Sequence, residues 1–257
     1  MNGAFEVSAA ALRAEQAALE ILANNIANAN TPAFKRSDAR FAEVLAAQVR
    51  ADGRIETAPD AANTRGSGIR IVPRDLLFLQ GDLRATGNPL DLAIDGIGFV
   101  EIMGPAGQNL LWRGGSLRVT DDGLLATLDG MPLRAGITAP LDAEELSIDA
   151  SGVVRAATAA GEVIEIGQIS LVRTESDDQL ERLDSGLLRV KEGARLVEAM
   201  PGEDGVGTIV QGSLEESNVE LTAEMVQLLV IQRSFAATAQ VIQTADQLAA
   251  ISNNLKQ

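Results

Sequence analysis

Two stretches of the chain, one at each end, place apolar residues seven apart, and the stretch between them does not. Phe5, Leu12, Leu19 and Ile26 form the first series; Leu221, Leu228, Phe235, Ile242 and Ala249 form the second. A seven-residue apolar repeat draws a stripe along one side of a helix and requires a partner surface to cover it. Leu22 and Ala29 widen the first stripe, and Met225, Ile231, Ala245, Leu248 and Leu255 widen the second. Residues 3–29 are rich in Ala, Leu, Glu and Gln, with no Gly or Pro after Gly3, which predicts a helix roughly 40 Å long. Pro32 lacks a backbone donor and pushes Thr31 toward an extended conformation, so the helix stops near Asn30. Residues 215–255 predict a second long helix. Ser217 or Asn218 is the expected N-cap, with Glu220 and Glu224 at the positive end of the helix dipole. Phe5, Leu12, Leu19, Ile26, Leu221, Met225, Leu228, Phe235 and Ile242 are therefore the expected assembly seam.

The pattern changes between the helices. After Pro32, Phe41, Val44 and Leu45 suggest a short helix over residues 38–49. Residues 51–68 read as a mobile loop rich in Asp, Gly, Ala, Asn, Thr and Pro, and Ile69–Leu79 as extended chain. From residue 81 to 210, turn dipeptides recur as Asp95-Gly96, Asp122-Gly123, Asp129-Gly130, Ser151-Gly152 and Ala160-Gly161. Short apolar runs lie between them: Leu90–Ile94, Gly98–Ile102, Leu124–Leu128, Leu146–Ile148, Val163–Ile166 and Ile169–Val172. Short strands at that spacing predict an all-β domain. The expected fold class is α+β: long N- and C-terminal helices forming a coiled-coil-like stalk, with a central all-β domain. Residues 1–30 with 213–257 form the helical inner-tube domain, 31–80 a connecting segment, and 81–210 the β domain.

Composition narrows the function. The chain of 257 residues has a formal charge of −15, which argues against a nucleic-acid partner. Aromatics make up 3%, with one Trp and no Tyr, so stacking platforms for bases or sugars are scarce. The charge is uneven. Residues 1–78 balance, whereas residues 79–210 hold 10 Lys+Arg against 22 Asp+Glu, a net of −12 that marks the β segment as the solvated part. There is no Cys and no His, which removes disulfides, thiolate nucleophiles and Ser-His-Asp or Cys-His triads. The first 30 residues show no secretory signal pattern, and no run of 18 apolar residues suggests membrane insertion. The acidic pairs Asp121-Asp122, Glu144-Glu145, Asp177-Asp178 and Glu215-Glu216 read as solvated turns rather than catalytic carboxylates, and no phosphate-binding or calcium-loop spacing occurs. No catalytic, cofactor or metal residue is expected, and the chain reads as a non-enzyme.

The most specific local signal is Ala23-Asn24-Asn25-Ile26-Ala27-Asn28-Ala29-Asn30-Thr31-Pro32-Ala33-Phe34-Lys35. Four Asn in seven residues is unusual at the end of a helix, because Asn is a poor helix former. Its amide can satisfy helix-end carbonyls and neighbouring backbones without net charge, or the string can be simply an Asn-rich cap. Near the other end stands Leu214-Glu215-Glu216-Ser217-Asn218-Val219-Glu220-Leu221, followed by Gln232-Arg233-Ser234-Phe235 and Gln243-Thr244-Ala245-Asp246-Gln247. In that order the two strings resemble the terminal signatures of the bacterial flagellar axial proteins, the rod, hook and hook-associated subunits. Asn24, Asn25, Asn28, Asn30, Thr31, Pro32 and Phe34 carry the first signature; Ser217, Asn218, Val219, Gln232, Arg233 and Asp246 carry the second. Gln80-Gly81-Asp82-Leu83 with Thr86–Phe99, and Met200–Gly207, resemble the two borders of the β domain in that family. Ala33 stands where the family usually has Gly, so the turn there is expected to differ in detail. Phe235 stands where Tyr is common, and Val100 where a second Phe is usual.

The resemblance implies a structural subunit of the flagellar rod, the distal part ahead of the proximal part or the hook. Copies would stack into a hollow periplasmic drive shaft that carries torque from motor to hook. It implies as partners other copies of the chain, other rod subunits and the hook protein, basal-body ring proteins, and the type III export apparatus in place of a cleavable signal. A closed coiled-coil oligomer displaying an acidic β binding head shares the patterns but not the signatures. A β-rich hydrolase with helical arms is disfavoured by the absence of His and the few aromatics.

Overall fold

The computed structural model describes residues 2–44, 68–75, 79–105, 107–174, 179–183 and 186–254. Two helices bracket the described chain, α1 (Asn2–Ala27) and α2 (Leu221–Asn254). Between them the strands run β1 (Ser37–Val44), β2 (Gly68–Asp75), β3 (Leu83–Ala85), β4 (Asp91–Asp95), β5 (Val100–Met103) and β6 (Asn109–Trp112). Next come β7 (Gly114–Val119), β8 (Leu125–Thr127), β9 (Ala143–Ile148), β10 (Val153–Thr158), β11 (Val163–Gln168) and β12 (Leu171–Thr174). The last are β13 (Leu180–Arg182), β14 (Leu188–Val190), β15 (Leu196–Ala199), β16 (Thr208–Gln211) and β17 (Ser213–Glu215). The chain divides into two compact units. A helical unit takes Met1–Ala27, Ser37–Arg74 and Glu220–Gln257; a β unit takes Asn28–Arg36 and Asp75–Val219.

The β unit is a set of small antiparallel sheets. Two have four strands, in the orders β16-β4-β7-β8 and β13-β14-β6-β5; β11-β10-β9 has three, and β12-β15 and β17-β3 are pairs. Its core is aliphatic, as the shortage of aromatics demands. Leu92, Ile94, Ile102, Leu125, Leu133, Ile137, Ile169 and Leu171 are almost wholly buried, and a satellite cluster gathers Phe99, Leu111, Val172, Leu180 and Leu188. Strand β4 shows why the repeat is hard to read: Asp91, Leu92, Ala93 and Ile94 are all buried, so it sits inside rather than alternating.

The helical unit holds α1, α2 and the two-stranded β1-β2 sheet. It corrects the expected fold class. The α+β composition and the central β domain stand, but the helices form no long coiled-coil stalk. A coiled coil needs large apolar residues interlocked along a continuous seam. Among the described side chains of α1, those buried are Ser8, Ala14, Ala18, Leu22 and Asn25, mostly small or polar. Glu15 of α1 accepts hydrogen bonds from the hydroxyls of Ser234 and Thr238 of α2, so the contact is partly polar.

Other boundaries differ as well. The segment expected as a short helix over 38–49 is strand β1 as far as Val44, and residues 45–49 lie outside the described residues. Arg40, Phe41 and Val44 are well suited to a strand, and Phe41 and Val44 alone do not make a helical face. The loop expected over 51–68 also lies outside the described residues, except that Gly68 begins β2. The second helix starts at Leu221 rather than 215, because Ser213–Glu215 pair with Leu83–Ala85 as β17 and β3. Neither Ser217 nor Asn218 is then an N-cap. The Ser217 hydroxyl accepts from Val219 N at 3.3 Å, and Asn218 has a different task, described below.

Candidate assembly site

The Asn-rich string ends α1 with a backbone turn in which Thr31 N donates to Asn28 O and Phe34 N to Thr31 O. Ala33 takes a φ of 56°, the left-handed conformation that its Cβ disfavours. The glycine-type backbone is kept, and Ala33 N donates to Glu215 O at 2.8 Å.

Glu215 is the centre of the β unit's polar interior. Its side chain is 0% exposed. Oε1 accepts from Lys35 Nζ and, at 2.8 Å, from Gly81 N; Oε2 accepts from Arg113 Nε at 2.9 Å. Lys35 Nζ also donates to Leu79 O at 2.8 Å. Arg113 reaches on to the carbonyls of Gly96 and Gly98. Gly96 and Gly98 sit at positive φ, which turns those carbonyls toward the guanidinium; they cradle a cation, not a phosphate. Gly81 has no substitute, because a Cβ there would stand 2.0 Å from Glu216 O. Around this centre, Asn218 Oδ1 accepts from Arg36 N at 2.6 Å and its amide donates to Leu79 O at 2.9 Å. Arg182 stacks 4.9 Å over the Phe34 ring and donates to Lys35 O. One carboxylate thus faces two cations in a dry site. Burial pulls the pKa of Lys35 below its ordinary 10.5, against the attraction of Glu215 and with a smaller push from Arg113.

This corrects the reading of Glu215-Glu216 as a solvated turn. Strand β17 ends at Glu215, which is buried, while the following residue Glu216 is exposed and pairs with Arg84 at 2.8 Å. Strand alternation with Ser213 was the available signal. Asp121, Asp122, Glu144 and Glu145 are exposed, and Asp177-Asp178 lie outside the described residues. The Thr86–Asp91 string is explained in the same way. Buried Asp91 accepts from Thr86 and Ser116 hydroxyls, each at 2.6 Å, and from the Asn88 amide at 2.9 Å, forming a self-contained turn.

In the helical unit, Asn25 is 1% exposed. Its amide donates to Ser37 O at 2.8 Å and to Glu224 Oε2 at 3.3 Å, while its Oδ1 accepts from Ser37 N at 3.0 Å. Asn24, Asn30, Thr31 and Pro32 are exposed, Asn28 is half-buried and Phe34 is buried. Of the expected seam, Leu12, Leu19, Ile26, Leu228 and Ile242 are half-buried, and Leu221, Met225 and Phe235 are exposed. Phe5 lies on α1, with its side chain outside the described residues. Val219 is half-buried; Gln232, Arg233 and Asp246 face outward.

The outstanding feature of α2 is its open apolar face. Met225, Val226, Leu229, Val230 and Val241 are each more than half exposed, and Phe235 is 43% exposed. Isolated exposed residues of this kind are ordinary, but a row along one helix marks a surface made to be covered. By length and composition Leu221–Gln247 would suffice to cross a membrane, and none of its most apolar stretch is buried within the chain. The expectation based on uninterrupted apolar runs missed this, because Gln227, Gln232, Arg233 and Ser234 break the run without removing the face.

A chain with a closed β unit, helices that expose an apolar face, and signatures at both ends has the makings of a polymer subunit. Three family models match along the chain: flagella basal body rod protein at residues 5–35, the flagellar hook protein FlgE/F/G D1 domain at 93–156, and the flagellar basal body rod FlgEFG protein C-terminal region at 210–255. The flagellar basal-body rod protein FlgG of Agrobacterium fabrum is 34% identical over 98% of this chain and 99% of its own length. FlgG of Bacillus subtilis is 32% identical over 94% of each chain, and FlgF of Mesorhizobium japonicum is 30% identical over 95% of this chain and 94% of its own. The class is thus that of the flagellar axial structural proteins. Within it, this chain belongs to the flagellar basal-body rod protein family and is FlgG-like.

Proposed function

We propose that the chain is a structural subunit of the distal rod of the bacterial flagellar basal body. Copies polymerise with one another and with neighbouring rod and hook subunits into a hollow periplasmic shaft that passes torque from the motor to the hook. The observation that carries this reading is the uncovered face of Met225, Val226, Leu229 and Val230 on α2 of a chain similar to FlgG over nearly its full length. Burying such residues contributes roughly 25 cal/mol per Å² of apolar surface, and a neighbouring copy supplies the cover. Arg233 and the glutamines on α2 fit a protein partner better than lipid.

The terminal residues 1–30 and 213–257 supply the inner tube. The acidic β segment faces outward, where ring proteins would surround it. Export through the flagellar type III apparatus and a purely mechanical role complete the reading. The test is to place a labelled copy in isolated basal bodies of the source bacterium. Label along the distal rod supports the proposal; label confined to the proximal rod assigns the chain there; a small closed oligomer with no basal-body label refutes both.

A further inference from the structure

We infer that Glu215, with Lys35 and Arg113, is a positioning centre that fixes the two signature segments side by side in the β unit before any subunit meets another. Its consequence for assembly rests on the rod reading; its effect on the isolated chain does not. Three separate stretches converge on Glu215, at its carboxylate or, for Ala33, at its main-chain carbonyl. Lys35 and Ala33 bring the segment that follows α1, and Gly81 brings the strand border at residues 79–81. Arg113 brings the carbonyls of Gly96 and Gly98, and Glu215 itself lies five residues before Glu220 on the way to α2. Asn218 repeats the link one turn on, holding Arg36 N and Leu79 O together.

The chemistry is suited to register rather than to stability. A buried ion pair gains little over an apolar group of the same volume, but it tolerates only one arrangement. Lys35, Glu215 and Arg113 are 4%, 0% and 5% exposed, so water cannot stand in for a lost partner. The two cations also have separable duties. Arg113 ties Glu215 to the β framework, whereas Lys35 ties it to the segment following α1. Losing Lys35 leaves a balanced Arg113–Glu215 pair and a segment held only through Ala33, Arg36 and the Lys35 carbonyl; losing Glu215 leaves two buried cations facing each other.

The test uses the full chain. In Lys35→Met, the melting of the β unit, followed by Trp112 fluorescence, is expected to stay near that of the unaltered chain. Trypsin cleavage after Arg36 is expected to be about tenfold faster, as a local opening equilibrium shifts without global unfolding. Asn218→Ala should speed the same cleavage, and Lys35→Arg should restore protection. Incorporation of Lys35→Met into basal bodies should fall in parallel with the cleavage effect. Equal cleavage in Lys35→Met and the unaltered chain overturns the inference. So does acceleration only alongside loss of the Trp112 signal, since the cluster would then be ordinary core. Faster cleavage with undiminished polymer keeps the centre and overturns its role in assembly. Faster cleavage in a chain that never enters basal bodies, altered or not, overturns the rod reading alone.

Discussion

The β unit and the helical unit solve the same problem differently. In the β unit, Leu92, Ile94, Ile102, Leu111 and Leu171 have no solvent exposure, and even the charged residues at its centre are paired. In the helical unit, the described buried residues of α1 and α2 are chiefly Ser8, Ala14, Ala18, Leu22, Asn25 and Glu224, while larger apolar side chains stay outside. One unit buries its large apolar side chains within the single chain; the other leaves several of them exposed. The same kind of substitution should therefore register as lost stability in the first and as lost assembly in the second.

The largest expected effect is in the β unit. Phe99→Ala removes a ring that is 1% exposed and packed with Leu111 and Val172, and should cost about 3–5 kcal/mol in a denaturant melt. Truncating a ring that is 43% exposed, as in Phe235→Ala, should move the same melt by only about 0.5 kcal/mol. Comparable losses at both sites would end the distinction between a closed and an open unit.

Phe235→Asp and Leu228→Asp sharpen the comparison from the other side. Both residues lie on the seven-residue stripe of α2; if a neighbour covers that stripe, a carboxylate entering it stays unpaired and dry, and incorporation into basal bodies should drop at least tenfold, about 1.4 kcal/mol per subunit contact. The monomer melt should hardly change for Phe235→Asp. Normal polymer from both variants would show that the stripe of Leu228 and Phe235 is not an interface.

A smaller effect belongs to Lys35. Its pKa is lowered in the folded chain, so between that value and 10.5 the unfolded chain holds more protons. Stability should then rise with pH across that window, and Lys35→Met should flatten the rise. The window is unusually clean, because the chain has no Tyr, Cys or His to titrate there. A rise of equal slope in the variant would mean that Lys35 is not the group responsible.

The sequence disclosed what depends on local pattern. Helix α1 and most of α2, the β-rich middle and the terminal signatures all follow from spacing, turn dipeptides and composition. What stayed hidden depends on pairing across long separations. Glu215 meets Lys35 across 180 positions and Arg113 across 102, and nothing near Glu215 announces that it is buried while Glu216 is not. Only Glu215 of strand β17 falls within the helix expected over 215–255; its pairing with β3 keeps it in a strand, and α2 starts at Leu221. The stripe of Phe5, Leu12, Leu19 and Ile26 was legible as a helical face. The single chain buries the adjoining offset of Ser8, Ala18, Leu22 and Asn25 more deeply, since small side chains let α1 lie close to its neighbours in the helical unit.

The smallest expected effect concerns Ala33. Its φ of 56° places Cβ against the following carbonyl, a strain of roughly 1–2 kcal/mol for a residue other than Gly. The conformation survives because Ala33 N is held by Glu215 O, and releasing it would give up that bond within the β unit. Ala33→Gly removes the strain but frees the unfolded chain by about 0.5–1 kcal/mol, so the two terms oppose. The strain is the larger, and the variant should be more stable by up to about 1 kcal/mol in a denaturant melt. Ala33→Val should be less stable than the unaltered chain, because a β-branched residue resists this φ more strongly. A less stable glycine variant would mean that the turn relaxes in solution to a conformation Ala accepts, and that its bond to Glu215 is weaker than the 2.8 Å geometry implies.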